Sequence, residues 1–306
     1  MPDTRVHRTA CEVSVPAPAG VLYGLIADAT VWPLFFPPCL HVEQLDFDGT
    51  RERLRMWALA GDRISSWVSR RHLDIGQRRV RFRQELPARP IESMTGVWSV
   101  HPAGDVCRVR LEHAFTVTGD APADVAWAAR VTRDNSRAQL DSLARLAQRW
   151  TRLDDLAVTF EDTVRVKAPA ELVFDFLYRA ADWPEDLAYT RPLAVREDTP
   201  GIQTLTLDGR SATGTRAVRI AFPSAGRLVH KHLHTSGPLA AYTGEWSIES
   251  HPAGVDVSVR HHILLSDDAA AGGQDAARRL RDELARTGRH VLEHATRHAC
   301  GAVRVL

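Results

Sequence analysis

Three side chains suited to handling charge alternate along one stretch, "WVSRRHLD" (67–74): Trp67, Ser69 and Arg71. A period of two puts them on one face of a strand, with Val68 and Arg70 on the other. The pattern leaves open which face turns inward. If Trp67 does, Arg71 goes with it, and a buried guanidinium must pair with a structural carboxylate or await an acceptor. In "CRVRLEHAF" (107–115) the same alternation sets His113 among Cys107, Val109, Leu111 and Phe115, an apolar face. It reads either as a core histidine bonded to backbone or as a proton carrier facing a cavity.

Two histidine clusters call for a metal test. "HKHLH" places His230, His232 and His234 on one strand face, and "RHVLEHATRHA" spaces His290, His294 and His298 along one helix face. Such spacing can ligate a metal. The sequence fixes no acidic or cysteine ligand nearby, however, and the first half of the chain has neither cluster, so no metal is expected. The glycine-bearing loops "GDAPAD" and "AAAGGQD" do not match a phosphate fingerprint. Neither a nucleophile elbow, a zinc-protease helix motif nor a dinucleotide motif is present.

These residues sit in a chain that repeats itself. "GVWSVHPAG" (96–104) returns as "GEWSIESHPAG" (244–254), and "APAGVLYGLIADATVWP" (17–33) matches "APAELVFDFLYRAADWP" (168–184) without a gap. His113 falls on His261, Trp98 on Trp246, Met94 on Tyr242 and Arg71 on Arg219, while Thr215 and Ala217 stand where the first half has Trp67 and Ser69. A period of about 150 residues is too long for a solenoid and suits two whole domains. We expect them at 1–152 and 153–306, with "TRLDDLAV" (151–158) as the joint.

Each half reads in the same order. A strand (8–15) leads into a helix ending near Ala27, and the prolines of "VWPLFFPP" allow only a short helix or turn after it. Six strands are expected at 41–47, 51–59, 62–73, 78–86, 92–100 and 105–117, then a long helix over 124–150 capped by Asp120 or Asp124. The second half should run strand 159–166, helix 169–181, six strands to 265 and a helix over 274–299. The class is α+β.

Composition narrows the function. The chain is 44% hydrophobic and 25% charged with a net charge of +1, so no basic excess draws it to nucleic acid or anionic lipid. No apolar run is long enough for a membrane span, and "MPDTRVHRTACEV" lacks a signal-peptide core. Cys11, Cys39, Cys107 and Cys300 form no CxxC pair, which points to a reducing, cytoplasmic setting.

Several of these motifs occur together in a known family. "WP" (32–33), "WVSRRHLD" (67–74), "FRQELP" (82–87), "SMTGVWSV" (93–100) and "NSRAQLDSL" (135–143) resemble the aromatase/cyclases of bacterial aromatic (type II) polyketide pathways, within the START/Bet v 1-like helix-grip superfamily. The W-x-S-x-R element and the later G-x-W are the specific parts. The resemblance spans nearly the entire chain as two copies, which is the di-domain form. It implies two tandem helix-grip domains, each a bent antiparallel seven-stranded sheet around a long C-terminal helix enclosing a cavity.

It also implies a cofactor-free enzyme. An acyl-carrier protein would deliver a poly-β-ketone made by the minimal polyketide synthase and reduced by the ketoreductase. First-ring closure, expected at C7–C12, would be followed by dehydration. Arg71 would stabilise the carbonyl oxyanion, Ser69 would add a hydrogen bond, and His113 would move protons near neutral pH. Trp32, Phe36, Trp67, Phe82, Met94 and Trp98 would wall the cavity, with Asn135 or Asp134 reaching in from the helix. The first half is expected to do the chemistry. Arg219, His261, Tyr242 and Trp246 would be retained counterparts in a scaffold or carrier dock. Where single-domain relatives can carry a tyrosine, this chain has Cys39 and, in the second half, Thr190. Rival readings are a carrier of apolar ligands and a chaperone that shelters spontaneous cyclisation.

Overall fold

Alternating apolar and polar side chains make strands that bury one face, and each half folds seven of them into one antiparallel sheet. The computed structural model describes residues 5–187, 192–208, 213–252, 254–271 and 273–303. The chain divides into Met1–Leu153 and Asp154–Leu306.

In the first unit, β1 (His7–Val15), α1 (Ala19–Ala27) and α2 (Trp32–Phe35) precede β2 (Cys39–Phe47), β3 (Arg51–Ala60), β4 (Arg63–Asp74), β5 (Arg79–Leu86), β6 (Ile91–Ala103) and β7 (Val106–Val117). The order across the sheet is β1-β7-β6-β5-β4-β3-β2. Only the β1–β7 pairing joins strands distant in sequence, with His7 opposite Phe115 and Val15 opposite Cys107. The long helix α3 (Pro122–Ala147) lies against β1, β7 and β3. It buries Ala128, Leu140, Leu143 and Leu146 along one stripe, as an amphipathic helix on a sheet must.

The start of α3 departs from expectation. Its N-cap is Ala121, with Pro122 in the first turn and no side-chain cap; proline suits that turn because its missing N–H has no intrahelical acceptor there. Asp120 instead lies 2.6 Å from His7 Nε2, and Asp124 sits in the first turn, where the helix dipole favours it. The stretch expected as the joint (151–158) holds the 3-10 turn at Trp150–Arg152, α4 (Leu153–Leu156) and the start of the next strand at Ala157.

The second unit repeats the plan. β8 (Ala157–Val166) and α5 (Ala170–Tyr178) precede β9 (Ala194–Thr199), β10 (Ile202–Thr206), β11 (Arg216–Phe222), β12 (Arg227–His232), β13 (Leu239–His251) and β14 (Gly254–Leu265), then α6 (Asp267–Ala271) and α7 (Gly273–Val303). Sheet order is β8-β14-β13-β12-β11-β10-β9. α5 stops at Tyr178, short of the expected 181, and two 3-10 turns come after it. Thr190 lies outside the described residues. Among the described residues no helix is long and apolar enough to cross a membrane.

Candidate active site

The structure resolves the ambiguity of β4. Ser65, Trp67, Ser69 and Arg71 all line a cavity of about 150 Å³ between the sheet and α3, while Arg70 is exposed and pairs with Glu85. Arg71 is only 3% exposed, and both sequence readings of it hold at once. Its Nη1 lies 2.7 Å from Glu52 Oε1, an equally buried carboxylate directly opposite on β3. Its Nη2 donates to the Ile26 carbonyl, 2.6 Å away near the C-terminus of α1, where the helix dipole favours a cation. The guanidinium also lies over the Trp32 ring, 4.8 Å from its centroid. Trp32 is fixed in turn by its Nε1 donating to the Leu25 carbonyl at 3.2 Å. Desolvation lowers the Arg71 pKa to about 10 against the pull of Glu52, so it stays charged at neutral pH. Its Nε and Nη1 hydrogens have no well-aligned acceptor. The carboxylate balances the charge at Nη1, and Nε is left without a partner.

His113 reaches the same cavity from β7. The glycine of the G-x-W motif explains its neighbourhood. Gly96 stands between Phe82 on β5 and His113 on β7 in register, and a Cβ there would come within 2.2 Å of Phe82 Cζ and 2.5 Å of the Glu112 carbonyl oxygen. The missing side chain lets the Phe82 ring cross β6 and meet His113 edge-on, with centroids 5.4 Å apart. Burial pushes the His113 pKa down to about 4, which corrects the expectation of a group poised near neutrality: the resting imidazole is neutral. Its Nδ1 is buried without a partner.

Other expected residues sort themselves around this pair. Trp32, Trp67, Phe82, Met94, Trp98 and Asn135 line the cavity. Asn135 donates to the Leu59 carbonyl at 2.7 Å, tying α3 to β3. Two assignments change. Phe36 is fully buried behind the wall, stacked on Trp98 at 6.4 Å, rather than lining the cavity. Ser69 donates to the Arg83 carbonyl at 3.2 Å, so its one proton holds β4 to β5. Trp127 of α3 and Gln84 of β5 also line the cavity; neither stands out in the sequence, because nothing local marks which helical phase or strand end faces inward.

A second cavity, of about 400 Å³, occupies the matching place in the other unit. Arg219 repeats Arg71 closely. It is 4% exposed, its Nη2 donates to the Leu177 carbonyl of α5, and it lies 5.7 Å from the Trp183 ring centroid. Trp183 Nε1 donates to the Phe176 carbonyl at 2.8 Å. The residue opposite on β10, however, is Gln203, whose Oε1 accepts from Arg219 Nη1 at 3.3 Å. Where the first cavity has Phe82 and Gln84 opposite Arg71 and Ser69, this one has His230 and His232 opposite Arg219 and Ala217. Tyr242 and His261 complete the cluster, joined by a 2.8 Å hydrogen bond between the phenol oxygen and Nδ1. Burial lowers the pKa of His232 and His261 to about 4, and that of His230 well below the usual histidine value. Arg219 is lowered to about 9 by desolvation and remains a cation at neutral pH.

The two histidine clusters divide. His230 and His232 line the second cavity, and His234 does not. On α7, His298 meets the Phe176 ring, with centroids 5.3 Å apart. His290, His294 and Asp186 bring one potential ligand atom each within 4.8 Å of one another, so the fold supplies the acidic group that the sequence spacing did not reveal. Arg297 Nη2 also lies 2.8 Å from His294 Nε2, a cation at the nitrogen a metal would need.

Known proteins share this architecture and much of its sequence. A family described as "Polyketide cyclase / dehydrase and lipid transport" matches residues 15–144. The granaticin polyketide synthase bifunctional cyclase/dehydratase of Streptomyces violaceoruber is 34% identical, over 98% of this chain and 96% of its own. The actinorhodin polyketide synthase bifunctional cyclase/dehydratase of Streptomyces coelicolor is 33% identical, over 94% and 96%. Among solved structures, the di-domain ARO/CYC BexL superposes with a TM-score of 0.79 at 34% identity, over 96% of this chain and 98% of that one. The di-domain ARO/CYC StfQ, from the steffimycin biosynthetic pathway, superposes with a TM-score of 0.78 at 25% identity, over 96% and 99%.

Proposed function

The chain belongs to the bifunctional cyclase/dehydratase family of polyketide synthases, and from that premise we propose that its first cavity closes and dehydrates the first ring of a carrier-bound poly-β-ketone. The regiochemistry we assign is C7–C12, on a chain already reduced at one carbonyl. The partners we assign are the acyl-carrier protein, the minimal synthase and the ketoreductase. The observation that carries this reading is a charged guanidinium and a neutral imidazole whose Nδ1 lacks a partner, on one apolar cavity.

The chemistry follows from those two groups. Methylenes between ketones are acidic, so the first requirement is to bend the chain and bring carbon to carbon, which Trp32, Trp67, Phe82 and Trp98 do by restricting its path. Neutral His113 takes a proton from the attacking methylene, and the enolate carbon adds to the carbonyl carbon. Arg71 stabilises the alkoxide, and the imidazolium returns the proton to it. For dehydration the same histidine takes a second α-proton, Arg71 holds the enolate, and the imidazolium protonates the departing hydroxyl. One water leaves and the histidine is restored, with no net redox change. The low basicity of His113 at rest is offset by Arg71, whose charge stabilises the enolate and so acidifies the methylene that the imidazole deprotonates.

The test is reconstitution with the minimal synthase and ketoreductase. Removing Arg71 alone would orphan Glu52, so the informative variant is Arg71→Met with Glu52→Gln, its folding verified by circular dichroism. We expect the ring-closed product to give way to uncyclised shunt products, and His113→Asn, which lacks the base of both steps, to lower closure and water loss together. If the folded double variant still directs ring closure, the guanidinium is dispensable, and the sheltering or carrier reading replaces this one.

A further inference from the structure

In the first unit a buried arginine faces a buried glutamate; in the second, the same arginine faces a glutamine. That single exchange leaves Arg219 as a cation without a counter-ion. Among the described residues its hydrogen-bond partners are Gln203 and the carbonyls of Leu177 and Tyr178, all neutral. The nearest carboxylate in the network, Glu197, is one hydrogen bond further out. It accepts from Gln203 Nε2 at 3.2 Å and from the Tyr178 hydroxyl, at the exposed edge of the sheet. The histidines of the cavity are neutral, and Glu283 and Arg286, exposed on α7 at its rim, carry opposite signs. Among the described residues the interior therefore holds one uncompensated positive charge, an arrangement that is costly when empty and favourable when an anion enters.

A second observation points to the shape of that anion. His261 is 2% exposed, yet its Nε2 has no partner. Its other nitrogen is held by Tyr242, so the ring cannot turn away without losing that bond. Gly288 on α7 keeps the space beside it open, since a Cβ there would stand 3.4 Å from Nε2. Trp183, Trp246, Leu205 and Val291 supply flat apolar walls. At about 400 Å³ the space is well over twice that of the first cavity.

We propose that the second cavity is a binding site for a planar aromatic hydroxy acid, with the carboxylate oxygen on Arg219 and the ring hydroxyl hydrogen-bonded to His261 Nε2. The assignment is independent of which cavity closes the ring. Salicylate and its neutral isostere salicylamide, titrated calorimetrically into the full chain at neutral pH, test it. We expect the anion to bind about tenfold or more tightly than the amide, the size of one charge-assisted pair. Gln203→Glu, which installs the first unit's counter-ion, should erase that preference and leave amide binding unchanged. Thr287→Asp, a half-buried position on the wall formed by α7, brings the same charge from the opposite side and should do likewise if the first variant fails to fold. Equal affinity for salicylate and salicylamide in the unaltered protein overturns the proposal. So does a preference that survives either variant, or inorganic phosphate binding as tightly as salicylate.

Discussion

Glu52 and Gln203 occupy the same register position in two copies of one fold, and around them the two cavities have diverged in opposite directions. The first has its charge balanced, packs Trp67, Phe82 and Trp127 into the interior, and encloses about 150 Å³. The second lacks the counter-ion, has His230 and His232 where the first has Phe82 and Gln84, and encloses about 400 Å³. In both, the arginine is pinned identically by a helix C-terminus and a tryptophan face. The scaffold thus fixes where the cation sits, and one neighbouring side chain decides whether it is neutralised.

The largest way to break this comparison is to remove each arginine. Arg71→Ala leaves the buried Glu52 without a counter-ion, its Oε2 held only by the neutral Gln44 Nε2 at 3.1 Å, and should destabilise the first unit by about 3–5 kcal/mol. Arg219→Ala strands no charge and leaves only a glutamine and two carbonyls short of a donor, so about 1–3 kcal/mol is expected. Urea unfolding followed by hydrogen exchange resolved to each unit would measure both. Adding Glu52→Gln to Arg71→Ala should recover most of the difference; equal losses for the two single variants would mean that the ion pair is not what separates the units.

Much of this site can be read from the chain, and the limit has a physical cause. Period-two alternation puts Trp67, Ser69 and Arg71 on one face and His113 on another, and the internal repeat carries each to its counterpart. Glu52 and Gln203 are not legible that way. Their importance arises from strand pairing, which sets residues nineteen and sixteen positions apart side by side (52 to 71 and 203 to 219). Phe36 misleads for the opposite reason: it lies four residues after the cavity residue Trp32, but the turn after α2 sends it behind Trp98. The fixed proton of Ser69 is likewise invisible until Arg83 is known to lie across from it.

Next in size is the glycine shared by both units. A methyl on Gly96 meets the Glu112 carbonyl oxygen at 2.5 Å, and one on Gly244 meets the Arg260 carbonyl oxygen at 2.7 Å. Backbone cannot swing aside as a side-chain tip can, so Gly96→Ala and Gly244→Ala should each cost about 1–3 kcal/mol. This is a point where the halves must agree; a neutral effect in one would show that its sheet yields locally and its cavity is softer than the other.

Acid should separate them again. His230, His232, His261 and His262 in the second unit all have lowered pKa values, chiefly from burial, whereas in the first His113 has this shift. A histidine whose folded pKa lies below its unfolded value takes up more protons when unfolded. Stability therefore falls as pH drops from about 6.5 towards about 4, and is unaffected above that window. Hydrogen exchange at pH 7 and pH 5 should show β12 and β14 losing protection ahead of β5 and β7. Loss in the reverse order would place the histidines in wetter surroundings than the cavity provides.

The finest distinction is Tyr242 against Met94. The phenol gives His261 Nδ1 a partner at 2.8 Å, while His113 Nδ1 has none. Tyr242→Phe should make the second site resemble the first in this one respect, for about 0.5–1.5 kcal/mol of stability. The more telling readout is the imidazole itself. With the phenol in place, the ring is held in one orientation and presents one nitrogen to the cavity. Without it, both nitrogens lack partners, and only packing, against Phe160 stacked at 4.6 Å and the ring at 242 at 5.9 Å, keeps the imidazole from flipping. Nitrogen chemical shifts of His261 should therefore indicate one tautomer in the native protein and an averaged pair in the variant, as His113 should already show. A single tautomer persisting in Tyr242→Phe would mean that stacking alone orients the ring, and that the hydroxyl is there to exchange protons with a bound ligand.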